Sequence, residues 1–414
     1  MQQAMTLTCT WGRTPMPVSN TPQVNYLLVE AQPDAPPSTP VPLNFCLVLD
    51  HSGSMKGEKL ANMKAATRRV IETLTPQDIV SLVIFDDTVQ TVLPATAATD
   101  KAALIAQIDQ IDAVGGTAMS LGLQTGQQEL QKHLSPDRVN HLLLLTDGQT
   151  WGDEDACRDV ARSLSREDVP VTALGLGDEW NEQLLDDLAN LTDGSSDYVA
   201  DPSQIDAFFQ RAVTTAQGTA ARDARLLMRL ITDVTPRAVY RVTPTIANLG
   251  YEPIVQNEVL LKLGDITYGN SGCIALDLML PARTEGSFRI ANAELHYLPL
   301  GEQTPQILKQ DIVLDFSANP DAPRYTARVM NIVEKVTAFK LQTRALEEAQ
   351  AGNLSSATQK LRAAATRLLD MGEVELATRT QQQAEELEQG GGMTAETQKA
   401  LRYATRRLTQ KLEP

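Results

Sequence analysis

The sequence is short of the features that mark nucleic-acid-binding, membrane and secreted proteins. Positive charge is in deficit: 36 Lys and Arg stand against 52 Asp and Glu, a formal net charge of −16. A phosphate backbone is bound by clustered cations that release counterions, so nucleic acid is not an expected partner. Long apolar runs are missing as well. The best, residues 24–29 and 142–145, fall far short of the roughly 20 residues a membrane helix needs, and no membrane span is expected. Residues 1–6, Met-Gln-Gln-Ala-Met-Thr, have neither the basic start nor the apolar stretch of a secretory signal, which points to a cytoplasmic protein. Only four cysteines occur, Cys9, Cys46, Cys157 and Cys273, far apart and without C-x-x-C spacing. They fit reduced, buried thiols better than a disulfide framework or a zinc site.

Enzyme motifs are scarce too. The chain has no G-K-[ST] phosphate loop, no G-x-S-x-G nucleophile elbow and no H-E-x-x-H pair, and Gly175-Leu176-Gly177 lacks the third glycine and the early position of a dinucleotide fingerprint. No nucleotide cofactor and no enzymatic activity are expected.

What is present is organisation. A length of 414 residues predicts two or three domains, each able to bury a core. From 42 to 218, short apolar runs at 43–49, 79–85, 139–145, 171–176 and 198–200 alternate with segments of helical period. This is the pattern of a doubly wound, mostly parallel α/β sheet covered on both faces. Residues 90–93, close behind 79–85, predict one antiparallel edge strand. Residues 219–319 instead alternate with period two, clearest in Ile274, Leu276, Leu278 and Leu280, as half-buried antiparallel strands do. Similar alternation in residues 1–41 is too little to bury a face alone. These strands are therefore expected to pair with those of 219–319, so that the α/β domain is inserted into a split β-sandwich. Residues 320–414 turn rich in Ala, Leu, Gln, Glu and Arg, with Leu354, Ala357, Leu361, Ala364 and Leu368 at helical spacing. Breaks at Gly352-Asn353, Gly372 and Gly390-Gly391-Gly392 predict a tail of about four helices. Residues 345–377 faintly resemble one tetratricopeptide unit, without a second copy.

The chemistry concentrates in three loops, each placed where doubly wound sheets bind ligands, at strand C-termini or helix starts. Strand 43–49 ends in Asp50-His51-Ser52-Gly53-Ser54; Gly115-Gly116-Thr117 opens a helix; Thr146-Asp147-Gly148 ends the strand from Val139. Together they offer two carboxylates and three hydroxyls, hard oxygen donors suited to Mg²⁺. In order, spacing and strand context, these motifs resemble the metal-ion-dependent adhesion site of von Willebrand factor A and integrin I domains, over residues 42–217. The resemblance implies that Asp50, Ser52, Ser54, Thr117 and Asp147 are the metal-site residues, and all are present without substitution. It implies Mg²⁺, with Mn²⁺ or Ca²⁺ as alternatives, and a cation left electrophilic enough to accept an Asp or Glu from a protein partner.

Several nearby residues carry further expectations. Trp151 and Trp180 fall in loops after strand C-termini, where each either meets a partner, since tryptophans are favoured binding hot spots, or packs against the helix it precedes. His51, between ligand positions, is expected as an exposed loop residue. Asp153-Glu154-Asp155 and Glu182 are expected to complement helix dipoles, and Asp86-Asp87 to serve a turn. Two functional classes follow. One is a metal-dependent protein–protein binding module or scaffold; the other, by resemblance to bacterial von Willebrand partners of MoxR-type AAA+ ATPases, is an adaptor for such an ATPase. A metal-assisted hydrolase is the least favoured alternative, because it needs a distant His or Glu to converge on the site.

Overall fold

The structure is a computed structural model, describing residues 5–35, 41–150, 152–250, 253–255, 257–269, 271–319, 321–389 and 392–410. The chain divides into two compact units, one of Pro36–Arg222 with Pro299–Thr304, the other of Met1–Ala35, Asp223–Leu298 and Pro305–Pro414.

The first unit is built on strands β1 (Leu43–Asp50), β2 (Ile79–Phe85), β3 (Val89–Ala97), β4 (Val139–Thr146), β5 (Val171–Leu176) and β6 (Ser195–Val199). Their order is β6-β5-β4-β1-β2-β3. Every pairing is parallel except β2 with β3, the antiparallel edge. Every residue of β1, β2 and β4 is buried, which is why these segments read as unbroken apolar runs: both faces of a parallel sheet are covered by helices. Those helices are α1 (Glu58–Thr73), α2 (Lys101–Ile108), α3 (Met119–Gln131), α4 (Glu154–Arg166), α5 (Glu182–Leu191) and α6 (Ile205–Gln217). Phe45, Leu47 and Leu49 of β1 pack in one cluster with Val70 and Ile71 of α1 and Phe209 of α6. The opposite face takes α3 at close range. A Cβ at Gly122 would strike the Phe85 ring at 2.7 Å and one at Gly126 would strike Val48 at 2.6 Å, so two glycines one turn apart let this helix lie directly on the sheet.

In the second unit the N-terminal strand Met5–Trp11 pairs antiparallel with Gln23–Pro33, which pairs with Gly272–Leu280, which pairs with Thr235–Arg241, which pairs with Ala247–Asn248, five strands in all. A second sheet runs Pro253–Val255, Glu258–Thr267, Thr219–Leu230, Gly286–Pro299, Gln306–Ser317 and Met16–Pro17. The sheets meet at Trp11, whose indole N–H donates to Val313 O at 2.8 Å, and at Gly272, where a Cβ would lie 3.5 Å from Leu263 and Ile266. Period-two alternation divides strand Gly272–Leu280 cleanly. Ile274, Leu276, Leu278 and Leu280 are fully buried on one face, while Cys273 and Ala275 on the other pack against a helix.

That helix is α7 (Ala327–Gln350), followed by α8 (Leu354–Asp370), α9 (Val374–Glu388) and α10 (Ala395–Arg406). Val329, Ile332, Val333 and Val336 of α7 share one core with Leu28, Tyr240, Val242, Cys273 and Ala275 of the five-stranded sheet. The helical region is the cover of that sheet's outer face, without which a row of apolar side chains would meet water. Among the described residues no helix is long and apolar enough to cross a membrane.

His141, the third residue of β4, is expected to make the first unit acid-sensitive. Its ring stacks on Phe45 with centroids 5.5 Å apart, and its Nε2 lies 2.9 Å from Thr172 Oγ1. Burial pushes the imidazole down from 6.5 to about 4. The folded state thus holds fewer protons than the unfolded chain in this window, so the stability is complete above about pH 6.5 and is lost progressively as pH falls towards 4. The loss is on the order of 3 kcal/mol. Denaturant titrations between pH 7 and 4 are expected to show a shallower decline for His141→Gln than for the natural chain; parallel curves would remove His141 as the cause.

Candidate metal centre

β1 and β4 lie side by side with Leu49 opposite Leu145, so Asp50 and Thr146 end neighbouring strands at the same edge. The side chain of Asp50 is fully buried there. Its Oδ1 accepts the Ser52 backbone N–H at 2.8 Å and its Oδ2 accepts the Thr146 hydroxyl at 2.6 Å. Burial pushes the Asp50 carboxyl up from its ordinary range, while the Thr146 and Ser52 hydrogen bonds pull it back and the nearby Asp147 charge adds to the rise. The chain then turns through a 3₁₀ segment, Gly53–Met55, bringing Ser52 Oγ within 3.0 Å of Ser54 Oγ. Ser54 Oγ donates to Asp147 Oδ1 at 2.7 Å. Four of the five expected residues, Asp50, Ser52, Ser54 and Asp147, are thereby linked in one hydrogen-bonded chain.

Thr117 comes from the third loop. Its hydroxyl oxygen lies 3.5 Å from where a Cβ at Gly148 would stand, and its carbonyl accepts the Thr150 hydroxyl at 3.1 Å. This loop is tethered to the first: Gly53 N–H donates to Gly115 O at 3.1 Å and Val114 N–H to His51 O at 2.9 Å. Asp86 and Asp87 complete the tether. Beyond closing its own turn onto Thr88, Asp86 accepts the Ala118 N–H at its carbonyl, at 2.5 Å. Asp87 Oδ2 accepts the Gly116 N–H at 2.9 Å. Asp153, at the start of α4, takes the Ser120 N–H at 2.8 Å and the Thr150 hydroxyl, fixing the Asp147 loop to the start of α3.

The donor set fits a hard divalent cation. Asp50, Ser52, Ser54 and Asp147 offer two buried carboxylates and two hydroxyls in one hydrogen-bonded chain, and Thr117 adds a hydroxyl beside Gly148, all oxygen donors of the kind such a cation takes. Among the described residues no three His, Cys, Asp or Glu gather as a metal-binding group, at this site or elsewhere. Ser54 is exposed and Thr117 half-buried, whereas Asp50, Ser52 and Asp147 are buried, so the constellation is closed beneath and open to solvent above. One residue touching it escaped the motif reading: Lys59, whose ammonium sits 2.5 Å from Asp147 Oδ2. A basic residue in the first turn of α1, where the helix dipole is positive, is the sequence anomaly that marks it.

Neither His51 nor Trp180 lies at the surface. His51 is buried, not an exposed loop residue; its Nδ1 lies 2.8 Å from Asp112 O, so the ring braces the loop. Trp180 is only 2% exposed. Its indole N–H donates to Gly177 O at 2.6 Å, its ring lies 6.3 Å from that of Tyr198, and it covers Gly175 so closely that no Cβ fits there. A side chain so enclosed has no surface to offer a partner. Trp151 lies outside the described residues.

The first unit has a Rossmann-like α/β fold, with carboxylates and hydroxyls at the C-terminal ends of its strands. The family model described as von Willebrand factor type A domain matches residues 44–211. The model described as the Sll0103-like, C-terminal alpha-helical domain matches residues 327–411. The chain therefore combines a von Willebrand factor A domain with an Sll0103-like helical region. It is 29% identical to the sll0103 protein of Synechocystis sp. over 333 residues, 78% of each chain. Among solved structures, a von Willebrand factor type A protein from Catenulispora acidiphila superposes with a TM-score of 0.74 at 18% identity, over 92% of this chain and 90% of that one. The ArnB paralog VWA2 from Sulfolobus acidocaldarius superposes with a TM-score of 0.56 at 16% identity, over 99% and 100%. At those identities the likeness is one of fold. Von Willebrand factor A domains often mediate protein–protein interaction and often bind a divalent cation at this position.

Trp180→Ala is expected to cost about 3–5 kcal/mol of stability, as large buried aromatics do, and to lower the melting temperature measured by differential scanning calorimetry. An unchanged melting temperature would return Trp180 to the surface.

Proposed function

We propose that this chain is a metal-dependent protein-binding module, in which Asp50, Ser52, Ser54, Thr117 and Asp147 hold one divalent cation and a protein partner adds an Asp or Glu carboxylate to it. Mg²⁺ is the cation the donor set favours, with Mn²⁺ and Ca²⁺ as alternatives. The observation that carries the reading is the convergence of three tethered loops: Ser54 joins Ser52 to Asp147, and Thr117 stands beside Gly148. Hydroxyl donors neutralise little charge, so a cation held there keeps its attraction for an external carboxylate. The net charge of −16 sharpens this dependence. An acidic partner is repelled by the chain as a whole and meets attraction at the cation. The exposure of Ser54 leaves the approach open.

A hydrolytic reading would need a base at the site. His51, the imidazole nearest in sequence, directs Nδ1 to a backbone carbonyl and lies 3.9 Å from Asp86 through Nε2. Binding accounts for the site with fewer requirements.

Calorimetry with Mg²⁺ and with Mn²⁺ is expected to show uptake of one ion per chain, weakened at least about tenfold in Asp50→Ala and Asp147→Ala, since each change removes a charged ligand. Partner capture on the immobilised chain is expected in Mg²⁺ and lost in EDTA and in both variants. Retention of an AAA+ ATPase under those conditions would select the adaptor role; a folded chain that takes up no divalent ion would refute the metal-dependent reading.

A further inference from the structure

Lys59 is bound into the candidate metal centre by a contact that the five-residue motif does not require. Its ammonium lies 2.5 Å from Asp147 Oδ2, pairing a side chain that is 33% exposed with a carboxylate that is fully buried. The other oxygen of Asp147 takes the Ser54 hydroxyl, and Ser54 in turn meets Ser52. Asp147 is thus fully engaged by groups of its own chain, one of them a cation.

The location of Lys59 is electrostatically unfavourable for its helix. It is the second residue of α1, and Gly57 at the N-cap offers no side-chain bond to the free backbone N–H groups. A positive side chain in a first turn opposes the helix dipole. Glu58 beside it suits the dipole, and Lys59 itself is met by Asp147, 88 positions away in sequence. A buried carboxylate without a counter-charge is strongly disfavoured, and an ammonium on a flexible stem supplies that charge without metal.

We infer that Lys59 is a built-in counter-cation that holds Asp147 in the metal-free protein and competes with the divalent ion for it, so that Lys59 sets the affinity of the site. This inference rests on the reading of Asp50, Ser52, Ser54, Thr117 and Asp147 as a divalent-cation site. A metal drawing on Asp147 must weaken the Lys59 pair and place more positive charge beside the ammonium. The pair therefore stabilises the metal-free protein, and its contribution is subtracted from metal binding.

The test compares the full natural chain with Lys59→Met, Lys59→Gln and Lys59→Arg after metal stripping. Thermal melting without metal and calorimetric titration with Mn²⁺ and with Mg²⁺ are the two readouts. Lys59→Met is expected to melt several degrees lower without metal and to bind Mn²⁺ about five- to tenfold tighter. Lys59→Arg, which keeps the charge, is expected to stay near the natural chain in both. Should Lys59→Met fail to fold without metal, Lys59→Gln carries the same expectation, because its amide still donates to Asp147 but brings no charge. Unchanged or weaker Mn²⁺ binding in the folded neutral variant, with the natural chain binding normally, overturns the role of Lys59 alone. No uptake by the folded natural chain overturns the metal reading and this inference together.

Discussion

The candidate site depends on two carboxylates buried beneath the C-terminal edge of a parallel sheet. Asp50 and Asp147 are almost wholly removed from water, and a buried carboxylate persists only where donors or cations surround it. The parallel register of β1 and β4 brings Asp50 against Thr146. From that neighbour relation follow the turn at Ser52, the serine pair and the reach of Ser54 to Asp147. Every other feature of the site can be described as a means of supplying these two groups with partners.

The bracing around them is polar and local, and it explains why the loops hold their positions. Asp87 fixes the backbone before Thr117, and Asp153 ties the loop after Asp147 to the first turn of α3. Gly122 and Gly126 let α3, the helix that begins just after Thr117, lie directly on the sheet. Acidic residues that read as ordinary turn or dipole chemistry thus align the loops on which binding would depend.

Unit by unit, the apolar surfaces are closed in different ways. The α/β sheet is enclosed by its own crossover helices, as any parallel sheet must be. The five-stranded sheet has no crossover helices, and α7 supplies the cover from the C-terminal end of the chain. Thr326 donates to Trp11 O at 2.7 Å and Arg328 reaches Glu30 at 2.6 Å, so the start of the helical region is pinned to the N-terminal strands by specific bonds as well as by burial. A helical region placed in this way belongs to the structural core of its unit.

The doubly wound sheet, its antiparallel edge and the helical C-terminal region were legible in the sequence, because period and apolar run length are local properties of the chain. The three candidate motifs are each a short segment at a strand or helix boundary, and the structure places those boundaries where the local pattern put them. The environment of single side chains was not legible in the sequence. Trp180 follows a strand just as a binding tryptophan would, but the space above Gly175 and the carbonyl of Gly177 draw it inward. His51 is drawn inward by the carbonyl of Asp112, 61 positions away, and Asp147 is claimed by Lys59, 88 positions away. Sequence alone determined which segments fold as strands and helices and which loops carry oxygen donors, since these depend on neighbours along the chain. Only the tertiary structure decided which side chains are enclosed and which charges meet, since those depend on neighbours in space.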